Sequence, residues 1–366
     1  MLTRRHLLGS LLATRLLPAA AQAAPATPEA TPAADLSAAL DTVLAGQALA
    51  VPFTGAALII QSGQPLLEAA YGDADLVERI PNTPDTGFQI ASITKTFTAT
   101  LIMQLRDEGR FDLDDPAARY LPDLPNLERD GVAITIRHLL GHTSGVADFT
   151  QLFDLADVTS YPATLDEAID RIAAAPLLFT PGTDYAYSSS GYLYLGRIIE
   201  AVTGVTWEAA LTERILTPLN LRDTWLTPPR RHAPLATGYL LLENFIVPVS
   251  RLGRPDLADS AGGLTSTLAD LRTWFDAFRT GDVISPATVA EMLTFGPYHY
   301  GLGFEVADLG GRDWFGHYGH TIGFRSAMLH QPELDLTMIL LANRQDFEMV
   351  SLTERLGEVM LASPQL

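Results

Sequence analysis

Ser92 and Lys95 lie three residues apart in "GFQIASITKTFTATLIMQL", the stretch from Gly87 to Leu105, and Lys95 is the only lysine among 366 residues. The other basic residues, eight histidines aside, are arginines. Lysine can lose its proton when desolvated, and arginine cannot. A lysine amine made neutral by burial can accept the proton of a serine hydroxyl, which then becomes a nucleophile. Ile93, Phe97, Leu101 and Leu105 recur at helical spacing up to Gly109, so this segment is expected to be a helix starting at Ser92. Positions three apart share a helix face, which sets Lys95 beside the Ser92 hydroxyl. The helix N-terminus adds free N–H groups and a positive dipole end that favour developing negative charge. By itself the spacing also fits an N-cap serine and a snorkelling lysine, so the rest of the chain decides between them.

The elements that must hold this pair fall into two groups. Strand signals cluster at the chain ends. "GAALII" and "PLLEAAYG" flank the turn at Ser62-Gly63-Gln64, "YGLGFEV" and "DWFGHYG" flank Gly310-Gly311, and "FRSAMLH" and "DLTMILLA" flank Pro332-Glu333. Short connections of this kind join antiparallel neighbours, giving five or six strands in one sheet. The middle reads as helical. Thr164 to Glu167 has a capping-box pattern, Tyr192, Leu195, Ile198, Ile199 and Val202 form a stripe closed by Gly204, and Thr267 opens a helix carrying Leu271, Trp274, Phe275 and Phe278. The expected architecture is an α/β (α+β) domain over residues 36–366. A mainly antiparallel sheet flanked by helices is built from about 36–110 and 236–366, and an all-helical region, about 111–235, is inserted between them.

Composition narrows the chemistry. A hydrophobic fraction of 47% suffices for a packed core, and the absence of cysteine removes thiol nucleophiles, disulfides and zinc–thiolate sites. A net charge of −19 argues against nucleic acid or an anionic membrane surface as partner. Residues 1–23, with Arg4-Arg5, a modest apolar run and Ala21-Gln22-Ala23, read as a twin-arginine export signal cleaved before Ala24. The run is too short, and too broken by Arg15 and Pro18, for a membrane anchor. Residues 24–35 are expected to be a disordered Pro/Ala/Thr linker.

"YGDADLVERIPNTPDTGFQIASITKTFTA" resembles the nucleophile region of the penicillin-recognising serine hydrolases, in the branch of class C β-lactamases, D-alanyl-D-alanine carboxypeptidases and related esterases. The resemblance continues through "ITIRHLLGHTSGV", "FTPGTDYAYSSSGYLYLGRIIEAVTG", "SAGGLTSTLADL" and "FGHYGHTIGFRS", in the family's order. It implies a β-lactamase/transpeptidase-like fold, no cofactor, and a small ester, peptide or β-lactam as substrate. It also implies Ser92 as nucleophile, Lys95 as its proton partner, and Tyr187 as a second general base whose pKa the cationic lysine lowers. The oxyanion hole would be the backbone N–H groups of Ser92 and His320. Ser189, His317, Tyr318 and Gly319 would then contact the substrate.

Two positions depart from the family pattern. Ser189 replaces the asparagine of Tyr-Ser-Asn and offers a single, shorter donor. Tyr318 replaces a small hydroxyl residue, so it is expected to crowd a substrate carboxylate and to stack on an apolar group. Histidine at 317 resembles the carboxypeptidase and esterase side of the family. His317 and His320 lack a third ligand and a metal-binding spacing, and "DLDDP" lacks the alternating ligands of a calcium loop. His142 reads as structural, Tyr185 as a bystander to Tyr187, and Arg325 as a solvated strand-end residue. These features favour an ester or a D-amino-acid peptide over a β-lactam, with a true β-lactamase or a non-catalytic binding protein as alternatives.

The lysine can be tested directly. Lys95→Arg keeps the charge and much of the stem but removes the exchangeable proton, so the fold is expected to survive while Ser92 acylation falls by on the order of 10³-fold or more. Fluorophosphonate labelling rates measure this; near-normal labelling would leave the lysine a purely electrostatic role.

Overall fold

The computed structural model describes residues 32–46, 51–152, 161–226, 233–242, 245–249 and 254–363. The expected signal, residues 1–23, and most of the expected linker lie outside the described residues. Pro32 to Asp35, assigned to the linker above, instead form the first turn of helix α1, Pro32–Leu44. Proline fits there because its missing N–H would have no helical partner in the first turn.

Six strands form one antiparallel sheet: β1 (Gly55–Gln61), β2 (Gln64–Tyr71), β3 (Glu305–Asp308), β4 (Asp313–Thr321), β5 (Phe324–Gln331) and β6 (Leu336–Ala342). Their order is β3-β4-β5-β6-β1-β2, so the two ends of the chain meet where β1 pairs with β6, from Gly55 opposite Ala342 to Gln61 opposite Leu336. Strand alternation divides the apolar side chains between two layers. Ala57, Ile59, Ala327, Leu329, Met338 and Leu340 pack towards α1 and the C-terminal helix α7 (Met349–Leu361; the helices between them are introduced below). Leu58, Ile60, Met328, Ile339 and Leu341 join the larger core on the opposite face.

That larger core holds α2 (Thr94–Asp107), α3 (Leu165–Ala174), α4 (Ser189–Thr203), α5 (Pro255–Gly262) and α6 (Leu268–Thr280). The expected helix starts are present. Thr164 and Thr267 accept the N–H groups of Glu167 and Asp270, and Glu167 reaches back one residue beyond the cap, to the Ala163 N–H. Gly204 and Gly281 end α4 and α6 in the left-handed conformation. Ser92 lies in a 3₁₀ turn, Ala91–Ile93, and α2 begins after it at Thr94. The pair still meets across this junction, with the Lys95 amine 3.0 Å from Ser92 Oγ.

Helix α2 is buried from Thr94 to Met103 although four of its residues are threonines. Each hydroxyl is satisfied: Thr94 Oγ1 accepts the Leu264 N–H, Thr96 Oγ1 accepts the Trp274 indole, Thr98 donates to Ser260 O, and Thr100 donates to Thr96 O. Phe97 stacks on Trp274 of α6 with ring centroids 4.1 Å apart. Phe97→Ala is expected to cost about 3–5 kcal/mol, read as a lower urea midpoint at unchanged slope. A loss below about 1 kcal/mol would mean that the stack does not fix α2.

Candidate active site

The 3₁₀ turn that carries Ser92 is held from two sides. Ile90 N–H donates to Leu264 O at 2.9 Å, and Ser326 Oγ of β5 donates to Ile90 O at 2.8 Å. Gly319 makes this approach possible, since a Cβ there would lie 2.0 Å from Ser326 Oγ and 2.3 Å from Ile90 O. Strand β4 therefore runs directly against the Ser92 turn. Ala91 has a φ of 48°, a strained value of the kind that clusters at reactive turns.

Lys95 is fully buried. Its amine lies 3.0 Å from Ser92 Oγ, 3.4 Å from Ser189 Oγ and 2.6 Å from Ala261 O. Burial pulls its pKa down to about 7, and the Asp148 and Glu305 carboxylates oppose the fall. The Ala261 carbonyl is available because α5 breaks at Asp259 (φ 31°, ψ −121°), which turns the Ser260 and Ala261 carbonyls towards Thr98 and Lys95 of α2. Asp259 Oδ1 accepts the Ser260 N–H at 2.7 Å, and burial pushes this carboxyl up to about 6.

Tyr187 precedes Ser188, the N-cap of α4, and its ring lies 5.0 Å from the Lys95 amine. Here the sequence expectation needs correction. Burial raises the Tyr187 pKa well above its ordinary value, and only the Ser92 side chain partly offsets this. Tyr187 is therefore a phenol and not a phenolate in the free protein. His142 sits behind it, with ring centroids 4.3 Å apart, and accepts the Ser188 N–H on Nδ1 at 3.1 Å. Burial holds His142 neutral, in keeping with a structural role.

Other expected site residues divide by the period of β4. The first hairpin pair, Thr321 opposite Phe324, sets the ladder, and Tyr318 N–H leaves the sheet on the β3 side, reaching Glu305 Oε1 at 2.6 Å. The His320 N–H, two residues on, points to the same side, beyond the end of β3. His317 is 2% exposed, and both ring nitrogens are engaged, Nδ1 with Tyr318 O at 2.5 Å and Nε2 with Tyr300 Oη at 3.0 Å. Tyr318 borders the cleft, but its ring packs with the α1/α7 layer and its hydroxyl meets Thr353 Oγ1 at 2.7 Å. It does not crowd the cleft as expected, because alternate β4 side chains face α7. Arg325 is not solvated either; it is half-buried and donates to the Thr321 and Phe324 carbonyls of its own turn.

Ser92, Tyr187, Ser189, His317 and His320 line one cleft of about 650 Å³. Three contributors were missed by the sequence reading. Asp148 is 6% exposed and accepts Ser189 N–H at 2.6 Å and Thr150 N–H at 2.8 Å, so it fixes the start of α4. Glu305 caps β4 from the edge strand, and Ala261 supplies the carbonyl on Lys95. The signal for Ala261 was present in "SAGGL"; nothing local distinguishes Asp148 or Glu305 from other acids.

A family model described as Beta-lactamase matches residues 48–359. The chain is 32% identical over 312 residues to penicillin-binding protein 4 of Amycolatopsis lactamdurans, covering 79% of this chain and 80% of that relative. It is 30% identical over 369 residues to esterase EstB of Burkholderia gladioli, covering 85% and 91%. Among solved structures, the D-amino acid amidase of Ochrobactrum anthropi SV3 superposes with a TM-score of 0.77 at 27% identity, over 90% of this chain and 99% of the amidase. With a serine, a desolvated lysine and a tyrosine gathered at one cleft, and with these relatives, the chain belongs to the beta-lactamase family and is a serine hydrolase.

Proposed function

We propose that this is an exported hydrolase that opens esters, or the amide bonds of D-amino-acid peptides, through an acyl-enzyme on Ser92. The observation that carries the reading is the fully buried Lys95 amine, 3.0 Å from Ser92 Oγ and with its pKa drawn down to about 7. The neutral amine takes the Ser92 proton as Oγ attacks the carbonyl carbon. The N–H groups of Ser92 and His320 hold the oxyanion, each contributing about 10²–10³ in rate. As the tetrahedral intermediate collapses, the Tyr187 hydroxyl protonates the departing group and is reprotonated by Lys95. Water then attacks the acyl group, its proton passes to Lys95, and Lys95 returns it to Ser92.

Support for an ester or amide over a β-lactam comes from the relatives named as an esterase and an amidase. It comes also from the cleft. Its one lining arginine, Arg254, is held by Asp256 at 2.7 Å, which leaves no free lining cation for a β-lactam carboxylate among the described residues. Export rests on the paired Arg4-Arg5 and the Ala21-Gln22-Ala23 site. No described helix is long and apolar enough to cross a membrane.

Intact-mass measurement of protein recovered from outside the cytoplasm, after exposure to aryl esters, D-Ala-D-Ala peptides and penicillins, reads both claims. An N-terminus at Ala24 and an acyl adduct on Ser92 from the esters or peptides are expected. A full-length intracellular product would refute export, and an adduct from penicillins alone would favour the lactamase.

The pH dependence follows from the direction of the Lys95 shift. Below about 7 the amine is protonated and cannot accept the serine proton; above it the neutral amine predominates. Fluorophosphonate labelling of Ser92 is therefore expected to accelerate as pH rises through about 7 and then to level off. A rate independent of pH across that range would exclude the amine as base.

A further inference from the structure

The cleft contains one carboxylate that carries no proton in the mechanism and acts on Lys95 only through its charge. Glu305, at the start of β3, lines it with a side chain 27% exposed and, among the described residues, has no lysine or arginine within ion-pair distance. Oε1 accepts the Tyr318 N–H at 2.6 Å and lies 3.4 Å from His317 Nδ1, but that ring is held neutral by burial. Among the described residues, the other charges around the cleft are engaged elsewhere. Asp148 is turned inward onto Ser189 and Thr150, Arg254 is bonded to Asp256, and Arg325 is bound to its own turn. The His320 imidazole is neutral at pH 7, with its pKa down to about 4. Among the described residues, Glu305 is the accessible charge that a substrate in the cleft meets.

The position of that charge is fixed by β4. Tyr318 and His320 direct their N–H groups to the same side of the strand, roughly 7 Å apart at two residues of rise. One holds Glu305 and the other faces the developing oxyanion. Glu305 also borders His317, whose ring centroid is 6.2 Å from that of Tyr187, the group that protonates the departing fragment. Glu305 therefore stands on the leaving-group side of the scissile bond.

We propose that Glu305 is a specificity residue which selects leaving groups bearing a cationic nitrogen, as in amino-alcohol or amino-amide substrates. The proposal rests on the Ser92 hydrolase reading. A carboxylate at the same place on the substrate would instead meet Glu305 and be repelled. A purely structural Glu305, capping the free edge of β4, would leave selectivity between charged and neutral leaving groups unaffected by its charge.

Acetylthiocholine and its neutral isostere 3,3-dimethylbutyl thioacetate separate these roles, because both deliver the same acetyl group and differ only in the departing thiol. Thiol release can be followed without background from the protein, which has no cysteine. The wild type is expected to favour acetylthiocholine in kcat/KM beyond the advantage of its more acidic leaving thiol, and Glu305→Gln, which keeps an acceptor for the Tyr318 N–H, to lower that preference by about tenfold or more. An equal ratio in both proteins, or a wild-type preference for the neutral thioester, overturns the proposal. If neither compound releases thiol, the two compete against fluorophosphonate for Ser92. Protection by acetylthiocholine alone, lost in Glu305→Gln, supports the proposal, and equal protection refutes it. Absence of labelling in wild type would instead overturn the Ser92 reading, and this proposal falls with it.

Discussion

The burial of one amine organises this molecule. An ammonium group taken wholly out of water is unfavourable unless it is hydrogen-bonded or loses its charge. At Lys95 both conditions are approached together. Ser92, Ser189 and Ala261 offer acceptors at 3.0, 3.4 and 2.6 Å, while desolvation draws the pKa to about 7. Neither charge state is then strongly preferred near neutrality, which is the condition a proton carrier needs. The three acceptors come from three separate parts of the chain, so the site exists only when α2, α4 and α5 are docked.

The surrounding structure serves that docking. Helix α2 could not be buried on every side as a uniformly apolar rod and still hold the Lys95 amine beside the Ser92 turn. Its threonines supply fixed polar contacts to α5, α6 and the turns beside them, each hydroxyl satisfied within the protein. Asp259 adopts a backbone conformation that non-glycine residues rarely enter, and the break it makes in α5 frees two carbonyls for α2. Strain at one residue is thus offset by two short hydrogen bonds, one of them to the Lys95 amine.

The sheet completes the site from the other side. Because β1 pairs with β6, the segment before Ser92 and the last strand of the chain form a single layer, and β4 comes to lie against the Ser92 turn. Gly319 permits contact at a distance no side chain would allow. Edge strand β3 ends before His320, which leaves that N–H facing the cleft while the Tyr318 N–H is capped by Glu305. Alternation along β4 separates the two layers, sending His317 towards the cleft and the Tyr318 ring towards α7.

The sequence by itself determined the closeness of Ser92 and Lys95, the strand-rich ends and the helical middle, because these depend on local spacing: three residues from Ser92 to Lys95, period two in the strands, a helical stripe closed by Gly204. Family resemblance added Tyr187 and the His320 N–H. What tertiary structure decided is everything set by burial and by direction. Whether Tyr187 is phenol or phenolate depends on how much water packing removes from it, and packing outweighed the nearby lysine. Tyr318 could not be aimed from sequence, since its side of β4 is fixed only once β4 is registered against β5 and Thr353 is brought within 2.7 Å. Asp148 and Glu305 look like any other acids in a chain of net charge −19. They become part of the site because long-range pairing places one under Ser189 and the other on the open edge of β4, and no local pattern encodes contacts between residues so far apart in the chain.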